Sequence, residues 1–167
     1  MNTEEAIFTR RSIRKYEDRP VEEEKIEKLL RAAMAAPSAM NQQPWEFYVV
    51  KDKEKIKELG AASPFSSCVS KAPLAIVVCQ KTGLMPSPAF ADVDCALATE
   101  NLWLMVTELG LGAVWIGTAP VEARIEKIGR ILDLPKRLKA FALMAIGYPA
   151  EEKGPSDRYD EKRVHVI

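Results

Sequence analysis

Residues 90–117, FADVDCALATENLWLMVTELGLGAVWIG, decide how the rest of the chain is read. Neither proline nor glycine interrupts the run from Ala89 to Leu109. Val93, Ala96, Leu97, Leu102, Leu104, Met105, Val106 and Leu109 fall on every side of a helical projection, which predicts a helix buried nearly all round. In so short a chain, one way to bury such a helix completely is to pack it against a second copy of itself. Gly110 then supplies a C-terminal cap and Gly112 loosens the turn, so Ala113–Ile116 reads as a short buried strand ending at Gly117. A glycine at that point lets a flat ligand approach the backbone closely. A core helix followed by a core strand, with no ligand, fits the same periodicity.

Working outward toward the N-terminus, Leu74 to Cys79 is a continuous apolar run, expected of a strand covered on both faces. Ser63 and Pro64 suit the start of a short helical stretch to about Ser70, and Asp52 suits the cap of a helix that stops at Gly60. Glu46–Val50 is a strand by composition. Residues 21–36, VEEEKIEKLLRAAMAA, predict an amphipathic helix with Ile26, Leu29, Leu30, Ala33 and Met34 on its apolar face. It must end near Ala36, because Pro37 disfavours a helical residue before it. Thr3 can cap a first short helix. Toward the C-terminus, Pro120 opens a helix with Val121, Ile125, Ile128 and Leu132 on one face. Ala140–Ile146 follows as a buried strand. The alternation of Val164 and Val166 predicts a terminal strand, paired with the main sheet or with the sheet of a partner subunit. Four or five strands interleaved with helices, without repeats or boundaries, predict one α+β (α/β sandwich) domain over residues 1–167.

Composition narrows the functional classes. Lys+Arg and Asp+Glu balance at 24 each, which argues against a general nucleic-acid or anionic-membrane binder. No apolar stretch is long enough to span a bilayer, so the expectation is a cytoplasmic protein with no membrane partner. Cys68, Cys79 and Cys95 form no CxxC pair, which argues against a zinc site or a disulfide framework. His165 is the single histidine, and that removes Ser-His-Asp and Cys-His triads. An enzyme of this composition would rely on a bound group for its hard chemistry.

Two stretches stand out. In RRSIRKY, residues 10–16, Arg10, Arg11, Arg14 and Lys15 surround Ser12, with Ile13 packed between. That pattern suits either an anion cradle or a solvated basic turn. In PSAMNQQPW, residues 37–45, two prolines bracket short polar side chains. Such a stiff loop can present hydroxyl, amide and backbone groups, and an ordinary helix-to-strand connector has a similar composition.

Taken together, RRSIRKY, PSAMNQQPW, the run from Asp94 to Gly117, LDLPKRLKAFALMAIGYPAE and DRYDEKRVHV resemble, in register, the nitroreductase family of flavoenzymes. That resemblance implies a central, mostly antiparallel sheet flanked by helices, in an intertwined homodimer with FMN at the subunit interface. It implies that Arg10, Arg11, Ser12 and Arg14 from one subunit hold the cofactor, with Arg158 joining Arg10 on its phosphate. Pro37, Ser38, Ala39 and Asn41 would come from the other subunit, and Trp115, Ile116 and Gly117 would lie along the isoalloxazine. No side chain is assigned as catalytic, since the flavin carries the chemistry. The implied activity is hydride transfer from NADH or NADPH through FMN to flat electron acceptors such as nitroaromatics and quinones, by a ping-pong cycle. Flavin reduction, dehalogenation, flavin breakdown and passive flavin binding are alternatives on the same scaffold. Three features depart from the family pattern. The chain ends at Ile167 without an aromatic-rich arm, Ala39 stands where a second serine is common, and residues 81–88 are too short for a large lid.

Overall fold

The computed structural model describes residues 1–154 and 156–167. Its elements run α1 (Thr3–Thr9), α2 (Glu23–Met34), β1 (Trp45–Val50), α3 (Lys53–Gly60), β2 (Leu74–Lys81), α4 (Ala91–Glu108), β3 (Gly112–Gly117), α5 (Glu122–Ile131) and β4 (Leu138–Gly147), with four short 3-10 turns between or after them. The strands form one antiparallel sheet in the order β1-β2-β4-β3. Helices cover both faces, so the architecture is the predicted α+β sandwich.

The two inner strands are buried on both faces. Ala75 to Cys79 and Ala142 to Ile146 are inaccessible to solvent, which is why β2 and β4 read as unbroken apolar runs. Ile76, Val78, Met144 and Ile146 pack under Leu29, Ala33, Leu102 and Val106 of α2 and α4. Val77, Leu143 and Ala145 pack on the other face under Ile56, Leu59, Val69 and Ile128. Each fully buried leucine or isoleucine contributes about 1.5–3 kcal/mol relative to exposure. A bulge breaks the β2–β4 register, with Val78 opposite Ala142 but Cys79 opposite Ala140. The extra residue, Phe141, thereby joins Ala142 on the α4 face instead of alternating away from it, and its ring meets Trp115 edge-on at 5.9 Å.

Four local expectations differ. The first helix is capped by Asn2, in a capping box with Glu5, one residue before Thr3. The stretch after Ser63 is a turn followed by a 3-10 segment, Ser67–Lys71. The fully buried Ser66 hydroxyl bonds to the carbonyls of Gly60 and Ser63, and those side-chain bonds compete with helix formation. The described C-terminal residues add no strand to their own sheet. Val164 and Val166 are exposed and pair with no strand of their own sheet, because alternation alone cannot hold a strand without a partner. Finally, α5 begins at Glu122, after Pro120, with Val121 as its N-cap.

The central helix is asymmetric in its surroundings. Asp94, Cys95, Ala98, Thr99, Leu102, Trp103 and Val106 are buried, whereas Phe90, Val93 and Leu97 are 54%, 54% and 41% exposed. One chain therefore covers only one side of α4. Among the described residues, no helix is long and apolar enough to cross a membrane.

Candidate functional site

The basic segment is bound along the edge of the sheet. Ser12 makes a parallel bridge to Ala113, and the Ile13 N–H donates to the Ala113 carbonyl at 2.9 Å. A Cβ on Gly112 would lie 2.8 Å from Ile13, so this close approach requires glycine. The Glu151 carboxylate accepts the N–H of Arg14 at 2.6 Å and of Lys15 at 3.3 Å. The Arg14 amide chiefly, with Lys153 nearby, holds Glu151 below the usual carboxylate range. The Lys153 ammonium donates to the Ser12 carbonyl, and the Tyr16 hydroxyl lies 2.6 Å from the Ile13 carbonyl and 3.1 Å from that of Ala145. Burial raises the Tyr16 hydroxyl well above its ordinary pKa. These contacts place residues 10–16 beside β3, the strand that carries Trp115, Ile116 and Gly117.

The arginines differ in what they already hold. Arg10 lies 4.0 Å above the Trp103 ring and pairs with Glu100 at 3.3 Å. Arg11 donates to the carbonyls of Gly154 and Arg10 at 2.7 and 2.6 Å, while its Nη2 is buried without an acceptor. A buried guanidinium N–H in that state is suited to an incoming oxyanion. Arg14 and Arg158 are exposed and form no ion pair among the described residues. Among those residues, no hydrogen bond or ion pair joins Arg158 to Arg10.

The 37–43 loop is built on a carboxylate that the motif does not include. Asp94, in the first turn of α4, is only 2% exposed. Its Oδ1 accepts the Ala39 N–H at 2.9 Å and its Oδ2 accepts the Gln42 amide at 2.6 Å. Gln42 also exchanges two hydrogen bonds with the Ser87 backbone. This clamp holds Met40, Asn41 and Gln43 at φ of 51°, 51° and 45°, a left-handed region that costs a non-glycine residue about 1–2 kcal/mol. Ser38 Oγ accepts the Gln43 N–H at 3.0 Å, and Pro37 and Asn41 are exposed.

These two groups flank the open face of α4. Residues turn by about 100° each along a helix, so Asp94 and Trp103, nine positions apart, point to opposite sides. The buried arc runs from one to the other. Phe90, Val93 and Leu97 occupy the arc between them on the solvent side. The structure therefore brings Arg10–Arg14 together with β3, groups Pro37–Asn41 with Asp94, and keeps the two sets apart within one chain. A cavity of about 570 Å³ between Tyr16, Val21, Lys51, Ile56 and Leu74 contains none of the predicted site residues.

At the end of β3, the half-buried Trp115 packs on Phe141, and the Ile116 side chain is taken up by the opposite core layer. Only the backbone of Ile116 can line a ligand. Gly117 is exposed, with no atom within 4 Å of where a Cβ would stand. The neighbouring Thr118 hydroxyl is buried and unpartnered. The strand is thus open at Gly117, beside one unpartnered hydroxyl. Asp94, Gln42 and Glu151 lie within the quoted motifs but are not among the predicted site residues, because their partners are backbone groups and side chains that only the fold brings near; the one available signal is that Asp94 is a buried carboxylate.

The architecture defines an α+β protein whose sheet edge carries a basic segment and an open glycine. The chain belongs to the nitroreductase family, whose model matches residues 7–64 and 64–148. It is 45% identical, over 99% of this chain and 87% of the relative, to a protein of Methanothermobacter thermautotrophicus named as a candidate NADH dehydrogenase/NAD(P)H nitroreductase. The crystal structure of a Parabacteroides distasonis protein with the same candidate name superposes with a TM-score of 0.94 at 40% identity, covering 99% and 98% of the two chains. An FMN-dependent nitroreductase from Clostridium difficile superposes with a TM-score of 0.88 at 35% identity, covering 94% of each chain.

Proposed function

We propose that the chain is an FMN-dependent oxidoreductase that passes electrons from NAD(P)H to flat acceptors, nitroaromatics and quinones among them, in two half-reactions sharing one slot. In this reading residues 1–167 form one FMN-binding domain, and two copies form a cytoplasmic homodimer. The observation that carries it is the division of the predicted site residues between the two borders of one uncovered apolar face on α4. Packing two copies through Phe90, Val93 and Leu97 sets the arginine border of one against the Asp94-held loop of the other.

When bound, FMN supplies the two-electron carrier that the side chains lack. The residues present fit that group. Arg11 Nη2 offers a desolvated donor to a phosphate oxygen, and Arg10 lies beside it on the same segment. Arg14 carries a planar guanidinium cation, suited to negative charge developing on a ring. Ser38 and Asn41 present a hydroxyl and an amide from a backbone that cannot relax without breaking the Asp94 clamp. Open space over Gly117 lets a flat ring lie against the backbone, and hydride transfer depends on such face-to-face contact at about 3–3.5 Å.

The test is an anaerobic absorbance titration of FMN-loaded protein with NADH and then NADPH. Bleaching by a nucleotide, reversed by a quinone or nitroarene, is the expected result. A bound flavin that neither nucleotide reduces contradicts the activity, and a protein that takes up no FMN contradicts the whole reading.

A further inference from the structure

Beside Gly117 stands a pair of side chains that no motif includes. Arg124, on the first turn of α5, donates from Nη1 to the Gly117 carbonyl at 2.9 Å. It forms no ion pair among the described residues, so most of its five donors remain available. Its guanidinium carbon lies 5.4 Å from the centroid of the Phe65 ring, and Phe65 is 69% exposed. That exposure is built in. The turn bearing Phe65 is locked by the fully buried Ser66, whose hydroxyl accepts the Ser63 N–H at 2.8 Å and bonds to the Gly60 carbonyl at 3.0 Å. The Lys127 ammonium ties α5 to the same region through the Ala61 carbonyl. A locked turn thus presents an aromatic ring to an arginine of α5 that is itself held at an open glycine.

We infer that Arg124 and Phe65 form a subsite for an anionic group, a carboxylate or a phosphate, on the flat co-substrate that approaches Gly117. The inference rests on the flavin reading and deepens it by specifying charge. Phe65 supplies an apolar face for the ring system, and Arg124 supplies a planar fork that matches an oxyanion. The Gly117 bond fixes the guanidinium beforehand, so little side-chain freedom is lost when the anion arrives. The anion is carried either by the acceptor or by the nucleotide as the 2′-phosphate that distinguishes NADPH from NADH; the chemistry is shared, and the test separates the two.

FMN-loaded protein is titrated with benzoate and with its uncharged isostere benzamide, binding being read from the perturbed flavin spectrum, and the KM values for NADH and NADPH are measured in parallel. The variants are Arg124→Gln, Arg124→Lys and Phe65→Ala. Loss of one charge-assisted contact corresponds to about tenfold in affinity. If the anion belongs to the acceptor, wild type prefers benzoate by about tenfold, Arg124→Gln abolishes the preference, Arg124→Lys restores part of it, and Phe65→Ala weakens both ligands alike. If it belongs to the nucleotide, Arg124→Gln instead raises the KM for NADPH and leaves NADH and benzamide unchanged. Either result supports the subsite. Charge discrimination that is unaltered in Arg124→Gln, for both ligand pairs, overturns it. Protein without a visible flavin band refutes the functional reading instead, and the spectrum tells the two failures apart.

Discussion

Asp94 Oδ1 accepts the backbone N–H of Ala39 at 2.9 Å, across 55 positions of sequence. The same carboxylate holds the Gln42 amide, so one buried group fixes both ends of the turn that carries Met40 and Asn41. Replacing Asp94 by Ala leaves the Ala39 N–H unpaired and releases the left-handed backbone. The expected cost is about 2–3 kcal/mol in chemical unfolding, with FMN affinity reduced alongside it. A change below about 0.5 kcal/mol would show that the turn holds its own shape.

Gly112 sets how closely the basic segment approaches the sheet. A methyl group there meets Ile13 at 2.8 Å, and the obstacle is a side chain already buried in the core. Gly112→Ala should therefore push the Arg10–Lys15 segment off β3, costing about 1–3 kcal/mol and weakening FMN binding more than Gly129→Ala, whose Cβ would meet no atom within 4 Å. Isothermal titration of both apoproteins with FMN makes the comparison. Equal affinities would contradict the packing role.

The uncovered face of α4 is read as the surface where two copies meet. Leu97 lies at its centre, 41% exposed in a single chain. Leu97→Glu should yield a folded monomer that has lost FMN, seen by light scattering coupled to size exclusion. A flavin-loaded monomer would refute a site shared between subunits.

Acid should loosen the basic segment through Glu151. Glu151 has its pKa lowered from the ordinary value of 4.5, mainly by the Arg14 N–H, so its folded pKa lies below its unfolded one. The stabilisation it contributes is complete above about 4.5 and declines as pH falls through the lower folded value. Unfolding midpoints measured from about pH 6 to 3 should decline less steeply in Glu151→Gln than in wild type. Parallel profiles would remove Glu151 as the anchor.

Much of this was legible in the sequence. Uninterrupted apolar content announced α4, and Gly110 with Gly117 bracketed β3, because local punctuation decides where such elements stop. The pairing of the tail was not legible: Val164 and Val166 alternate correctly, but a strand exists only where an edge receives it, and their own sheet does not. Phe141 was placed by a bulge, which a period-two pattern cannot reveal. The arginines at 10–14 were visible as a charge cluster. The contacts of Asp94, Glu151 and Arg124 were not, since each reaches groups made adjacent only by the fold, 137 positions apart for Glu151 and Arg14.

The most direct test of the shared site is subunit complementation. One variant carries Arg11→Ala and Arg14→Ala, the other Asp94→Ala, and each homodimer should bind FMN poorly. Co-expression with separate affinity tags isolates the mixed dimer, in which one interface combines an intact arginine segment with an intact loop. We predict that this dimer recovers close to one tightly bound, NAD(P)H-reducible FMN per two chains. A mixed dimer as empty as its parents would mean that each site is built within a single chain, and that α4 joins two subunits without sharing a flavin between them.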